Sequence, residues 1–404
     1  MGGNETQDLP VINLSDKNMK PGTELWNSTR NSVREAMEHH GWFVAEYNSF
    51  PAELHKSVLE ASKELLDLPP EVKVKNENHK AGHGYITMSS DDQPVHEGLG
   101  IDQANDIQQC RRFSSLMWPD HHNNDRFCET VNAYAKMQAE LEQLVIRMLF
   151  ESYNLERYTE KHIRGSRYLL RLLKYRRLPN GEPNRKFISH TDKSFISILH
   201  QNHITGLMLK SEKEDVWYPF IPSPTKFAVI AGDAIMAWSN DRIKSCYHKV
   251  EMESVEMRYS FGFFSFQENM ISTPEEMVDK DHPLAYKPFH HDGLLAFYET
   301  VEISSPPPPP LSPPLHASQD DATIEPKTHV RRGLVEPISF STRIQLKQKG
   351  IRGTLPPDLQ NANHLSNVET PHFWLWKEID GDGRENSDLL RLRRARLVSG
   401  TTKT

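Results

Sequence analysis

The chain has 404 residues and a mass of 46.6 kDa, enough for more than one minimal domain. Hydrophobic residues make up 37% and charged residues 25%, so a sizeable core is possible. The formal net charge of −7 argues against a general nucleic-acid-binding protein, which would need a basic face.

The composition predicts neither a membrane span nor a disulfide framework. No window approaches the ~20 continuous apolar residues of a transmembrane helix, and the first residues lack the features of a secretory signal. Gly2 fits a loose myristoylation pattern, but no basic second anchor follows it. Three cysteines without a CxxC spacing favour a reducing compartment. We therefore predict a cytoplasmic protein that binds neither nucleic acid nor membranes.

The first part of the chain is predicted to be rich in helices. Apolar residues recur at helical spacing in three segments, namely 25–40, the segment from Pro51 to Pro69-Pro70, and about 125–153. Gly41 is a typical stop signal for the first helix. Residues 42–45, directly after it, form a short apolar run that predicts a strand.

The hydrophobic pattern of the sequence changes from Tyr168 onward. Short apolar or alternating runs, separated by turn residues, occupy 168–175, 195–200, 206–209, 216–221, 227–230, 234–238, 248–252 and 259–266. This pattern is typical of a sandwich or barrel of short strands.

The last hundred residues differ in composition from the rest. Residues 303–404 contain 12 of the 27 prolines, and their 14 Lys+Arg against 11 Asp+Glu give a net charge of +3, which leaves −10 for the residues before them. The prolines of 306–310 and 313–314 predict an extended linker or a docking ligand for a protein module.

One constellation of residues has the spacing of a metal site. His190 and Asp192 are separated by one residue, so on a strand both side chains project from the same face. Together with a distant histidine they would form a two-His-one-carboxylate triad, the ligand set of non-haem Fe(II) oxygenases. His248, at the start of a predicted strand, is the natural third ligand.

The His-x-Asp pattern is weak by itself in a chain with 20 histidines. A second match occurs at His290-His291-Asp292, next to the predicted linker. Only the first match is followed, in strand-like context, by another histidine and by an Arg-x-Ser pair. That pair, Arg258 and Ser260, presents a guanidinium and a hydroxyl on one face, which suits a carboxylate. Tyr175, on the preceding predicted strand, could add a hydroxyl donor.

These motifs resemble the plant 2-oxoglutarate/Fe(II)-dependent dioxygenase superfamily. Within it, three segments are most similar to the AOP-type branch, which is named for making alkenyl and hydroxyalkyl glucosinolates: His83-Gly84-Tyr85, the run 96–102, and Leu173-Lys174-Tyr175. The resemblance covers roughly residues 9–300. It implies His190, Asp192 and His248 as iron ligands, and Arg258, Ser260 and Tyr175 as 2-oxoglutarate contacts.

The resemblance further implies a mainly β fold with flanking helices around a double-stranded β-helix, or jelly roll. We expect an N-terminal dioxygenase region at 1–122, a helix and the jelly-roll catalytic domain at 123–302, a proline-rich linker at 303–318, and a disordered or weakly structured tail of unknown fold at 319–404. Fe(II), 2-oxoglutarate as cosubstrate and ascorbate as a stimulant are the implied cofactors. The implied reaction hydroxylates or desaturates a small plant metabolite with O2 and releases succinate and CO2.

The sequence departs from the family pattern in a few places. Asp241 stands where relatives often have Gly, and Lys249 follows His248 where many have Arg. Relatives usually finish shortly after the position of Tyr298, often with a last helix, whereas this chain runs into proline after Val301.

Several alternatives remain open at this stage. The body could be an inactive jelly roll that acts as an adaptor through its proline-rich segment, or an enzyme that folds poorly because its last helix is missing. A zinc site would need Cys246, which reads as a small buried residue. His83, Tyr85, His96 and Trp118 either line a substrate pocket or serve ordinary packing.

Overall fold

The structure is a computed structural model that describes residues 9–78, 80, 82–90, 93–119, 124–176, 189–211, 215–252 and 254–303, and two short strands beyond them. Within these ranges no helix combines the length and the apolar character needed to cross a bilayer. The prolines of the predicted linker and most of the predicted tail lie outside the described residues, as does Gly2.

The helices begin and end close to the predicted positions where local signals are strong. The hydroxyl of Thr23 accepts a hydrogen bond of 3.2 Å from the backbone N–H of Trp26 at the start of α1. Gly41 ends that helix in the left-handed conformation, with φ at 77°. The helices are α1 (Glu24–His40), α2 (Ala52–Leu66), α3 (Pro70–Lys73), α4 (Ile107–Met117), α5 (Asp125–Ser152), α6 (Glu156–Arg164), α7 (Asp233–Trp238) and α8 (His291–Ile303).

Two sheets form the centre of the molecule. The major sheet has eight strands in the order β1-β2-β9-β6-β11-β5-β4-β3, and the minor sheet has three in the order β10-β7-β8. Their bounds are β1 (Val11–Asn13), β2 (Trp42–Glu46), β3 (Ile86–Ser90), β4 (Gln93–Asp102), β5 (Ser166–Tyr175), β6 (Ile196–Gln201), β7 (Leu207–Ser211), β8 (Val216–Pro219), β9 (Lys226–Ala231), β10 (His248–Val250) and β11 (Arg258–Gln267). An antiparallel pair, β12 (Phe373–Lys377) and β13 (Leu390–Arg394), lies in the tail.

The two faces of the major sheet have different partners. One face packs against the helices in a large apolar core to which α1, α2, α4 and α5 all contribute. The other face packs against the minor sheet, where Trp42 and Ile230 meet Leu207 and Leu209. The predicted mainly β fold with flanking helices is therefore confirmed.

The predicted elements differ from the structure in two regions. The run at 234–238 is the helix α7 and not a strand; five apolar residues are too few to show a period, and stacking of Trp238 on Phe150 of α5, with ring centroids 4.3 Å apart, favours the helix. The hairpin of β3 and β4 was not predicted, because Gly98 and Gly100 dilute its strand signal. Its pairing with β5 decides the conformation.

The N-terminal and catalytic regions share the major sheet. Strand β2 pairs with β9, and β4 pairs with β5, so strands from before residue 122 form both edges of the sheet and strands from after it form the centre. The boundaries at 122/123 and 302/303 stay a prediction.

The buried carboxyl of Glu142 on α5 gives the fold a measurable pH dependence. Its Oε2 accepts a hydrogen bond of 3.1 Å from the hydroxyl of Tyr168, and burial raises the pKa of Glu142 from 4.5 to about 7. Between these pH values the folded chain holds a proton that the unfolded chain has released, so stability falls as the pH rises. We expect the free energy of unfolding of the wild type to fall by about 3 kcal/mol between pH 4.5 and pH 8. In Glu142→Gln this fall should be absent.

Denaturant unfolding at several pH values measures this effect. Glu140→Gln, an exposed position on the same helix, is the matched control and should keep the wild-type pH dependence. An unchanged pH dependence in Glu142→Gln would contradict the assignment.

Candidate active site

The three predicted metal ligands, His190, Asp192 and His248, lie close together in the structure. His248 is the first residue of β10, and its backbone pairs with that of His190 in an isolated antiparallel bridge. The two backbone hydrogen bonds, from the N–H of His190 and from that of His248, measure 3.1 and 3.0 Å. This bridge joins two segments that are 58 positions apart in the sequence and holds their imidazoles side by side, with ring centroids 4.3 Å apart.

Asp192 lies between the two histidines. Its Oδ1 is 3.8 Å from the Nε2 of His190 and 3.8 Å from the Nε2 of His248. One ligand atom from each of the three residues lies within 4.8 Å of the others. The side chains of His248 and Asp192 are 7% and 12% exposed, whereas that of His190 is 58% exposed, so the group has one open side.

The protonation states of these residues suit a cation. Burial, followed by the nearby His190, lowers the pKa of His248 to about 4, so its ring is neutral at neutral pH. The carbonyl of Cys246 is 3.3 Å from Nδ1 of His248, which places the proton on Nδ1 and leaves the lone pair on Nε2. Burial works to raise the pKa of Asp192, but the two histidines lower it overall.

The donor set fits Fe(II). The buried Oδ2 of Asp192 has no hydrogen-bond partner among the described residues, and an isolated buried carboxylate oxygen is costly without a counter-charge. Two imidazole nitrogens and one carboxylate oxygen match the ligand set of non-haem iron oxygenases. The thiol of Cys246 is buried and is not part of the group, in agreement with the packing role predicted for it.

The predicted carboxylate clamp lies on the same face of the major sheet. Arg258 is 1% exposed, and its Nη2 donates to Ser260 Oγ at 3.4 Å and to Gln201 Oε1 at 2.7 Å. Its Nε and Nη1 have no hydrogen-bond partner among the described residues. A Cβ on Gly206 would lie 3.1 Å from Arg258 Cδ, so the glycine makes room for the side chain. A buried guanidinium with two unused donors is suited to bind an anion.

Tyr175 and Gln201 flank this guanidinium. Tyr175 is directly opposite Arg258 in the register of β5 and β11, and its ring centroid is 4.8 Å from the guanidinium carbon. Gln201, at the end of β6, also donates to the carbonyl of Ile204 at 2.5 Å and thereby fixes the amide that orients Arg258. Gln201 was missed in the sequence; its signal is a polar residue at the inward position of an apolar strand.

The second His-x-Asp match has a structural role. His291 accepts a hydrogen bond of 3.0 Å from the backbone N–H of Gln267, and its other ring nitrogen is 2.7 Å from the carbonyl of Lys193. Lys193 directly follows Asp192 and lies over the ring of Tyr298 on α8, 4.0 Å from its centroid. Helix α8 thus supports the loop that carries Asp192.

Of the four candidate pocket residues, Trp118 and Tyr85 serve packing, His96 lies on the face of the proposed clamp, and His83 is buried beside Asp102. Trp118 packs on Phe127 in the helix-side core, and Tyr85 packs against the same core, so both serve packing. His96 is opposite Tyr175 in the register of β4 and β5, on the face that carries Arg258. His83 is buried, and its Nδ1 lies 2.5 Å from Asp102 Oδ1.

Both departures beside the site are explained locally. Asp241 adopts φ at 68°, a left-handed conformation that favours glycine and that Asp tolerates better than most residues. Its carboxylate accepts a hydrogen bond of 2.6 Å from Tyr286. Lys249 pairs with Glu251 at 2.7 Å and lies over Trp217, away from the ligand group.

Family models match both regions of the chain. The model described as the 2OG-Fe(II) oxygenase superfamily matches residues 163–267, and the model described as non-haem dioxygenase in morphine synthesis N-terminal matches residues 9–132. The probable 2-oxoglutarate-dependent dioxygenase AOP1.2 of Arabidopsis thaliana is 38% identical over 299 residues, which are 72% of this chain and 91% of the relative.

Solved structures share the fold. The rice dioxygenase for auxin oxidation is 25% identical with a TM-score of 0.61, and the match covers 74% of this chain and 95% of that chain. The dioxygenase for auxin oxidation 1 from Arabidopsis thaliana, in its complex with 2-oxoglutarate, is 26% identical with a TM-score of 0.58, covering 68% of this chain and 100% of that chain. The chain therefore belongs to the 2-oxoglutarate/Fe(II)-dependent dioxygenase superfamily, with AOP-type enzymes among its relatives, and is a dioxygenase that uses Fe(II) and 2-oxoglutarate on a small molecule.

Proposed function

We propose that the enzyme hydroxylates or desaturates a small plant metabolite and converts 2-oxoglutarate to succinate and CO2. His190, Asp192 and His248 would hold Fe(II), and Arg258, Ser260 and Tyr175 would bind 2-oxoglutarate. The observation that carries the proposal is the proximity of three metal-ligand atoms, within 4.8 Å of one another, in a chain that also buries an arginine with unused donors.

The roles of the residues follow from their surroundings. Fe(II), when bound, supplies the redox chemistry that couples the decarboxylation of 2-oxoglutarate to oxidation of the substrate. The bridge between His190 and His248 keeps two ligands in place before the metal arrives, which reduces the ordering that binding requires. The exposed edge of His190 leaves one side of the group open to the substrate and O2.

The clamp would bind the carboxylate that is distant from the iron. Gln201 holds Nη2 of Arg258, so the donors on Nε and Nη1 keep a fixed direction. A guanidinium held in this way donates charge-assisted hydrogen bonds to a carboxylate, and the hydroxyl of Ser260 adds a further donor. The ring of Tyr175, 4.8 Å from the guanidinium carbon, lies beside this position.

Succinate formation tests the proposal. The full-length protein is incubated with Fe(II), ascorbate and 2-oxoglutarate over a panel of plant acids, hormones and glucosinolates, and succinate and substrate loss are quantified together. We expect at least one compound to stimulate succinate formation in the wild type but not in His190→Ala. Equal turnover in the two proteins would refute the proposed ligand set.

The cytoplasmic location is part of the same proposal, and it is supported by three buried free cysteines. The adaptor alternative depends on prolines outside the described residues. Expression of residues 1–302 beside the full chain separates the two parts: the enzyme proposal expects the shorter protein to keep turnover.

A further inference from the structure

A second arginine with buried donor atoms lies on the face of the major sheet that carries Arg258; Arg171 is half-buried as a whole, but its Nε and Nη2 are buried. Arg171 interrupts the apolar run of β5 and lies four residues before Tyr175, hence on the same face of the strand. It is opposite Gly100 on β4 and Gly262 on β11. A guanidinium whose donor atoms are buried between these strands is costly unless it has a partner.

None of the described residues supplies that partner. Arg171 forms no ion pair or hydrogen bond with them, and its Nε and Nη2 are buried without a hydrogen-bond acceptor. Its neighbour Arg167, on the same face, pairs with Asp292 at 3.1 Å. Arg167 thus has a carboxylate partner, whereas Arg171 has none among the described residues.

Two glycines define the position of the guanidinium. A Cβ on Gly98 would lie 3.1 Å from Nη2, and a Cβ on Gly82 would lie 3.5 Å from Nη1. The side chain thus extends along β4 towards the level of His96, since Gly98 and His96 are successive residues on one face of that strand. Burial, followed by the charges of Arg171 and Arg258, lowers the pKa of His96 to about 3. His96 is therefore neutral and near both guanidinium groups.

The charges of the site leave Arg171 without compensation. Burial lowers the pKa of Arg171, and the carboxylate of Asp192 offsets only part of this effect. In the proposed enzyme, Fe(II) and Arg258 together balance Asp192 and the two carboxylates of 2-oxoglutarate. Arg171 then keeps one positive charge that a single negative group on the substrate would neutralise.

From this arrangement we propose that Arg171 binds a carboxylate of the primary substrate, and that the enzyme acts on small organic acids. The proposal rests on the proposed function. The carboxylate accepts hydrogen bonds from the buried guanidinium, which orients the rest of the molecule towards the ligand group. A neutral analogue would leave the guanidinium buried and unpaired, so the site discriminates against it.

Matched acids and amides test the proposal by binding. The full-length enzyme is loaded anaerobically with Fe(II) and 2-oxoglutarate and titrated by calorimetry with aryl- and alkyl-carboxylic acids and with the primary amide of each. We expect the wild type to prefer acids, and Arg171→Gln to lose that preference by at least about tenfold, with Arg171→Lys in between. Lys174→Gln removes one positive charge from the opposite face of β5 and should keep the preference.

A separate titration with 2-oxoglutarate distinguishes this idea from the proposed function. We expect the Kd of 2-oxoglutarate to stay within about twofold in Arg171→Gln and to rise strongly in Arg258→Gln. The inference is overturned if Arg171→Gln keeps the acid preference, if it weakens 2-oxoglutarate as Arg258→Gln does, or if no acid in the panel binds. An unaffected Kd in Arg258→Gln refutes the proposed clamp and leaves the acid titration to decide on Arg171.

Discussion

Replacing Asp192 by Asn is expected to lower Fe(II) affinity by at least about 100-fold. Asn keeps the size of the side chain but removes the negative charge that lies 3.8 Å from both histidines. Loss of a residue that merely orients a ligand already costs roughly 10–100-fold in metal affinity, and loss of a ligand should cost more. Anaerobic titration with Fe(II) and metal analysis after gel filtration measure the effect directly.

A matched control separates the ligand from charge alone. Asp215→Asn removes an exposed carboxylate that pairs with Lys210 on the minor sheet, and it should bind Fe(II) like the wild type. The wild type should also unfold at a higher temperature with Fe(II), because a ligand that binds only the folded state stabilises it. That increase should vanish in Asp192→Asn. Retained Fe(II) binding in the folded variant would remove Asp192 from the ligand set.

Arg258→Gln is expected to weaken 2-oxoglutarate by about 2–4 kcal/mol, roughly 30- to 1000-fold in Kd. The side chain of Arg258 is 1% exposed, and its Nε and Nη1 have no acceptor among the described residues. The substitution therefore removes a desolvated contact between the guanidinium and the carboxylate of 2-oxoglutarate. Ser260→Ala removes one neutral donor and should cost only about 0.5–1.5 kcal/mol. Calorimetry on the anaerobic Fe(II) enzyme gives both values.

A cycle of two variants and two ligands shows whether Arg258 binds the distant carboxylate. 2-Oxopentanoate has the same chain length but lacks that carboxylate, so its Kd should be nearly equal in the wild type and in Arg258→Gln. Additive effects of removing the guanidinium and the carboxylate would show that the two groups do not interact. Strong coupling is the expected result.

Some elements of this fold are determined by local signals in the sequence. Helix ends with a capping residue or a glycine stop, such as Thr23 and Gly41, are readable because the determining bonds are within a few residues. The run at 234–238 was predicted wrongly because stacking on α5, far away in sequence, determines its conformation. The β3–β4 hairpin was missed for the same reason: its glycines carry no strand propensity, and pairing with β5 supplies the order.

The sequence alone determined the chemistry that the site can offer. Arg258 and Ser260 are two residues apart on β11 and share one face, as in any strand, without knowledge of the fold. His190 forms only an isolated bridge and Asp192 lies in a loop, so the strand predicted for this pair is not present and their proximity depends on the fold. Only the tertiary structure decided which distant groups join them. The bridge to His248, the amide of Gln201 on Arg258 and the glycine-lined position of Arg171 all depend on strand register, because register is set by pairing between segments that are far apart in the chain.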